Sequence, residues 1–208
     1  MIKHLVFDFD GTISDSYPHF MQIFKDFAAE NKLEIPDDRK LLELLLISVR
    51  DAYHILNWDK FMPYKTFFDN VFAPIQLKKA LEYHAFPEAI DLIKYAKGKG
   101  LDCYVYTHSG KVVPEVILPN MGIAHMIDYV IDSSHGFPEK PAPDALLFLI
   151  KKFGLKAEDC LMIGDRPIDA HCGMNAGMKG CLWDTFGLFQ NESCDLYVTG
   201  LEEIKKSL

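Results

Sequence analysis

The chain has 208 residues, 22 Lys and Arg against 30 Asp and Glu, a formal charge of −8, 49% apolar and 25% charged residues. Such a length holds one domain, or one domain with a smaller insert, and the composition is that of a globular chain rather than a disordered or collagen-like one. The acidic balance excludes broad nucleic-acid binding, which needs clustered Lys and Arg against phosphates.

Ile2–Phe9 is a short apolar run that enters Asp8-Phe9-Asp10-Gly11-Thr12, and it predicts a buried strand ending in a turn. Its apolar stretch stops at Asp8, too early for the core of a signal peptide. No run approaches the roughly 20 apolar residues of a membrane span. Cys103, Cys160, Cys172, Cys181 and Cys194 are odd in number and form no C-x-x-C. They predict reduced thiols and a cytoplasmic chain, and the acidic balance and short apolar runs predict no nucleic-acid or membrane partner.

From Ser16 to His84 the pattern turns helical. Phe20, Ile23, Phe24, Phe27 and Ala28 form a stripe of period 3.6. Pro36-Asp37-Asp38 predicts a helix start, and Leu41–Ile47 is apolar almost all round. Further helix is expected over Val49–Leu56 and Phe61–Tyr83, with breaks near Pro63 and Pro74.

Strands and helices then alternate. Strands are predicted over Leu101–Tyr106, Met126–Ile131, Cys160–Ile163, Gly180–Trp183 and Asp195–Val198. Helices are predicted over Glu88–Lys97, Pro141–Phe153 and Ile168–Ala176, with a short one from Leu201. This rhythm predicts βαβ units around a parallel sheet. The expected organisation is a doubly wound α/β core, residues 1–15 and 85–208, with an all-helical insert over residues 16–84.

On an open α/β sheet, ligands sit at the carboxyl ends of the strands. Asp8 and Asp10 end the first strand, Thr107 follows Tyr106, and Asp165 ends the strand at Cys160, with Asp169 four residues on. Lys140 precedes the helix expected from Pro141. Crowded carboxylates repel one another unless a cation sits among them. Hard oxygen ligands of this kind suit Mg²⁺, which keeps waters and takes a substrate phosphate.

In that order the motifs resemble those of the haloacid dehalogenase superfamily. The first is Asp8-Phe9-Asp10-Gly11-Thr12, the second Thr107, the third Lys140-Pro141-Ala142-Pro143, and the fourth Gly164-Asp165-Arg166-Pro167-Ile168-Asp169. The insert is similar to that family's helical C1 cap, and the whole chain looks most like its phosphoglycolate phosphatase-like hydrolases. The resemblance implies Mg²⁺-dependent hydrolysis of a small phosphorylated metabolite through an aspartyl-phosphate. Asp8 is then the nucleophile and Asp10 the acid and base. Lys140 offsets negative charge on Asp8 and on the phosphoryl group. Gly11, Thr107, His108 and Lys140 are the implied phosphate contacts. The implied metal ligands are Asp8, Asp10 through its carbonyl, and Asp165. Asp169 is either another ligand or the partner of one. Arg166 is expected to pair with a neighbouring carboxylate, and His19 is a weaker substrate candidate than His108.

In the insert, Ser48 or Arg50 is the candidate for contact with the substrate beyond its phosphate. Two alternatives remain at this level, a mutase similar to β-phosphoglucomutase and a non-catalytic protein on the same fold. A monomer or a homodimer is expected.

Overall fold

The computed structural model describes residues 1–208 and divides into two compact units, Met1–Asp15 with His84–Leu208, and Ser16–Tyr83. In the first, six parallel strands are arranged β3-β2-β1-β4-β5-β6. They are β1 (His4–Phe7), β2 (Asp102–Tyr106), β3 (Tyr129–Ile131), β4 (Cys160–Gly164), β5 (Lys179–Trp183) and β6 (Leu196–Val198). All five pairings are parallel, and β1 lies between β2 and β4, with Phe7 level with Val105 on one side and Ile163 on the other. The order of the strands therefore reverses beside β1, where an open α/β sheet forms its ligand crevice.

The strands read as apolar runs because both faces are covered. Val6, Tyr104, Tyr106, Ile131, Cys160 and Met162 share one buried cluster with Ala145, Leu146, Leu149 and Cys172. The latter four belong to helices α8 (Asp144–Phe153) and α9 (Pro167–Asn175). Alternate residues face the other way. These are Leu5, Phe7, Cys103, Val105, Leu161 and Ile163, all buried, and α6 (Pro87–Gly98) packs against β2.

The helical unit holds α1 (Tyr17–Asn31), α2 (Asp38–Ile47), α3 (Val49–Ile55), α4 (Tyr64–Phe67) and α5 (Ala73–Lys78). Asp37 caps α2 by accepting a 2.9 Å bond from the Lys40 amide. The phenylalanine stripe of α1 is the unit's own core. Phe24 and Phe27 pack on Phe67 and Trp58, with ring centroids 4.8–5.5 Å apart. His19 stacks on Tyr83 at 4.6 Å within the same unit.

Two boundaries differ from expectation. Pro74 does not interrupt the chain's helical path. A wide π turn over Phe68–Phe72 joins α4 to α5, and Pro74 falls in the first turn of α5. Widening the turn takes up the missing amide and the ring's bulk. The helix expected from Pro141 begins at Asp144, after a loop in which Pro141 and Pro143 hold the residues before them out of helical geometry. Between β2 and β3 the sequence carried no predicted helix, yet Val113–Ile117 and α7 (Leu118–Asn120) are helical.

All five cysteines are free thiols, and four are buried. Burial pushes Cys103, Cys160 and Cys172 up to about 12, so they pack as small apolar groups. No helix is long and apolar enough to cross a membrane.

Candidate active site

The ladder between β1 and β4 continues one step past β1, with the Asp8 amide donating to the Ile163 carbonyl at 2.8 Å. That bond fixes Asp8 at the carboxyl end of the sheet. Behind it the chain reverses at Gly11, whose φ of +82° lies in the left-handed region and whose amide donates to Ser14 O at 2.8 Å. A side chain there would be strained, so glycine is required by the turn.

Asp8 is 2% exposed and Lys140 6%. The Lys140 ammonium donates to Asp8 Oδ1 at 2.6 Å, Asp169 Oδ1 at 2.8 Å and the Tyr106 carbonyl at 3.0 Å. Its three protons thus have three acceptors, and the Tyr106 ring lies 4.6 Å beneath it. The loop that carries Lys140 is tied down by Cys172 Sγ on Ala142 O and by the Asn175 amide on Pro141 O.

Asp169 is fully buried, and both its oxygens are engaged. Oδ1 accepts from Lys140, and Oδ2 accepts from the Arg166 amide at 3.1 Å. The Arg166 guanidinium is also near, with Nε 3.9 Å from Asp169 Oδ2. Through Oδ1 the Asp169 carboxylate also holds the lysine in place. Gly164 makes this approach possible. A Cβ on Gly164 would lie 2.2 Å from Asp169 Cβ and 2.5 Å from its Oδ2.

Two carboxylates thus share one ammonium, and they respond oppositely. Burial pushes Asp8 up to about 6, and neighbouring Asp169 adds to that, against the pull of Lys140. Burial acts the same way on Asp169, but Lys140 and Arg166 outweigh it and hold that carboxyl below its ordinary value. Burial opposes the charge on Lys140, yet the two carboxylates keep its pKa raised.

Asp165 directly follows β4 and is 1% exposed, and the Thr12 hydroxyl donates to its Oδ1 at 3.1 Å. Carboxylate oxygens of Asp8, Asp165 and Asp169 lie within 4.8 Å of one another. Asp8 Oδ2 is buried and has no hydrogen-bond partner. A buried carboxylate oxygen without a donor is costly unless a cation or water satisfies it. The donor set is all oxygen, as a small hard divalent cation requires, so the residues fit Mg²⁺.

Thr107 is buried, its amide bonded to Ile131 O and its Oγ1 accepting from the Ser109 amide, both at 2.9 Å. Asp10 accepts a 2.6 Å bond at Oδ2 from the Ser109 hydroxyl. His108 meets the backbone of the Lys140 loop. Its Nε2 accepts the Lys140 backbone amide at 3.0 Å. Packing on that edge, with the charges of Lys140 and Arg166, lowers the imidazole to about 4, although part of the ring reaches the surface. The bond ties the lysine loop to His108.

In the helical unit, Ser48 is the N-cap of α3. Its Oγ accepts the Asp51 amide at 2.8 Å and donates to Asp51 Oδ2 at 2.7 Å. Arg50 is exposed, and its guanidinium lies 5.9 Å over the Tyr64 ring. Neither arrangement identifies a substrate contact. Three residues with clear roles in this geometry were not singled out from the sequence, namely Thr12, Ser109 and Gly164. The first and last lie inside recognisable motifs, while Ser109 has no local signal, since its partner is 99 residues away.

Residues 5–182 match the family model for haloacid dehalogenase-like hydrolases. The chain belongs to that family. It is 26% identical over 183 residues to N-acetylmuramic acid 6-phosphate phosphatase of Pseudomonas aeruginosa, covering 86% of this chain and 80% of that one. It is 30% identical over 197 residues to phosphoglycolate phosphatase of Vibrio parahaemolyticus, covering 85% and 81%. A solved structure from Haemophilus somnus, named as a predicted phosphoglycolate phosphatase, superposes with a TM-score of 0.82 at 20% identity, over 99% of this chain and 97% of that one. This haloacid dehalogenase-like hydrolase thus shares its doubly wound α/β fold with solved members of the family.

Proposed function

We propose that the protein is a Mg²⁺-dependent phosphatase acting on a small phosphorylated metabolite through an aspartyl-phosphate on Asp8. The observation that carries this is the state of Asp8. Its carboxylate is fixed at a strand end, neutralised on one oxygen by Lys140, unpartnered on the other, and placed beside Asp165. The phosphatase names of the relatives agree with it.

Asp8 and Asp165 would hold the metal, with the Asp10 carbonyl as the third protein ligand. Mg²⁺ supplies a divalent charge that lets the carboxylate of Asp8 meet an anionic phosphate. Asp8 attacks phosphorus in line with the ester oxygen, forming the Asp8–phosphorus bond as the ester bond breaks. Asp10 gives its proton to the departing alkoxide. It then takes a proton from the water that attacks the phosphoryl group, releasing phosphate and restoring Asp8. Lys140 holds Asp8 in position and offsets charge as it develops. The Thr107 hydroxyl, whose oxygen accepts the Ser109 amide, would donate its proton to a phosphoryl oxygen. Asp169 acts through Lys140, and His108 through the backbone of the same residue.

The test is phosphate release from p-nitrophenyl phosphate by protein stripped with EDTA, with and without added Mg²⁺. Release is expected only with the metal. An added phosphoryl mass on quenched protein, absent from Asp8→Asn, identifies the intermediate. Undiminished turnover in EDTA, or phosphorylation of the Asp8→Asn protein, refutes the mechanism.

A further inference from the structure

We propose that Ser109 is a positioning residue for Asp10, holding one oxygen of its carboxyl so that the other carries the proton that is transferred. This rests on the phosphatase function proposed above.

The bond between Ser109 Oγ and Asp10 Oδ2 is 2.6 Å long and joins the loop after β1 to the loop after β2. Ser109 is itself fixed on both sides. Its amide donates to Thr107 Oγ1 at 2.9 Å, and its carbonyl accepts from the Ser133 amide at 3.0 Å. The hydroxyl therefore stands on a backbone clamped between the end of β2 and the start of the turn after β3. A donor held so firmly can orient its partner, which a mobile surface serine cannot do.

An aspartate that must act first as an acid and then as a base meets a particular difficulty. Its carboxyl can carry the proton on either oxygen, and only one of them can face the leaving group. A hydroxyl donating to Oδ2 leaves Oδ1 as the oxygen that bears the proton in the neutral acid. The same hydroxyl donates equally well to Oδ2 once the proton has gone, so the carboxyl need not rotate between half-reactions. In the first half-reaction the proton passes from Oδ1 to the alkoxide as the phosphorus–oxygen bond breaks. In the second it returns to Oδ1 from the attacking water. Atoms and charge balance with no added reactant.

Leaving-group chemistry separates this role from a merely structural one. The ratio kcat/KM reports steps up to phosphorylation of Asp8. A primary alkyl phosphate needs the proton in that step, whereas p-nitrophenyl phosphate, with its stable phenolate, hardly does. Ser109→Ala is expected to lower kcat/KM for the alkyl ester at least about tenfold more than for the aryl ester, within the range of about 10²–10⁴ that acid–base assistance supplies. Ser109→Thr, which keeps the hydroxyl, restores the ratio. Ser109→Cys, of similar size but a weak donor, behaves as the alanine variant does and serves if that variant folds poorly.

Equal losses on both esters, or a threonine variant no better than alanine, overturn the assignment to Ser109 while leaving the phosphatase function intact. A wild-type protein inert toward both esters overturns the function itself, and the role of Ser109 with it.

Discussion

Replacing Asp8 by Asn should stabilise the metal-free protein while abolishing turnover. The carboxyl of Asp8 is raised from 3.8 to about 6, chiefly because it is buried, with Asp169 adding to the effect and Lys140 only partly opposing it. Below pH 3.8 the group is protonated whether the chain is folded or not, and its contribution to stability is fully present. As pH rises, the unfolded chain ionises first, and the contribution is lost as pH passes through about 6. At about 1.4 kcal/mol per pKa unit, the ionised carboxylate costs the native state about 3 kcal/mol above pH 7. Asparagine has nearly the same shape and stays neutral, so it avoids that cost. In EDTA at pH 7.5 the Asp8→Asn protein should be more stable than wild type by up to about 3 kcal/mol, with the difference closing toward pH 4. Urea unfolding followed by tryptophan fluorescence measures it. Trp183 lies in β5 and Trp58 in the helical unit, so a Trp58→Phe background reports the α/β unit alone. Added Mg²⁺ should stabilise wild type by an amount that grows with the logarithm of its concentration above the dissociation constant, and leave the variant nearly unchanged. A variant less stable than wild type at pH 7.5 in EDTA, or a difference that does not change with pH, refutes the electrostatic account.

Lys140→Met removes the one ammonium between Asp8 and Asp169. Removing one partner of a buried ion pair costs about 3–5 kcal/mol, so the variant should unfold at much lower urea in EDTA, and equal midpoints would contradict the pairing. Gly164→Ala sets a methyl 2.2 Å from Asp169 Cβ and must displace that carboxylate from Lys140. Overpacking of this kind costs about 1–3 kcal/mol, and kcat should fall with stability; full activity would show that Asp169 is dispensable. Ser48→Ala deletes the N-cap of α3 and should cost about 1 kcal/mol in the helical unit, read from Trp58 fluorescence, whereas an unchanged midpoint would deny it the capping role.

The alternation of strands and helices was legible because each strand at the centre of the sheet is buried on both faces and reads as an apolar run between polar turns. The helical insert was legible because the period of its phenylalanines is helical. Asp8, Asp10, Lys140, Asp165 and Asp169 were legible for a different reason, since each sits in a short motif at a strand end or before a helix. The structure brings Asp8, Lys140, Asp165 and Asp169 together because β1 and β4 are neighbours and the Lys140 loop is tied to α9.

Partnerships between residues far apart in sequence were decided by the tertiary structure alone. A sequence lists carboxylates, but the ammonium that both Asp8 and Asp169 share exists only once the β4–α9 turn and the Lys140 loop meet. Ser109 offers no local pattern, because its partner Asp10 is supplied by a neighbouring strand's loop. His108 accepts the Lys140 amide, a bond across 32 residues that no spacing in the sequence announces. Local propensity and motif order are written residue by residue, whereas charge state and hydrogen-bond partners are set by what folding brings within 3 Å.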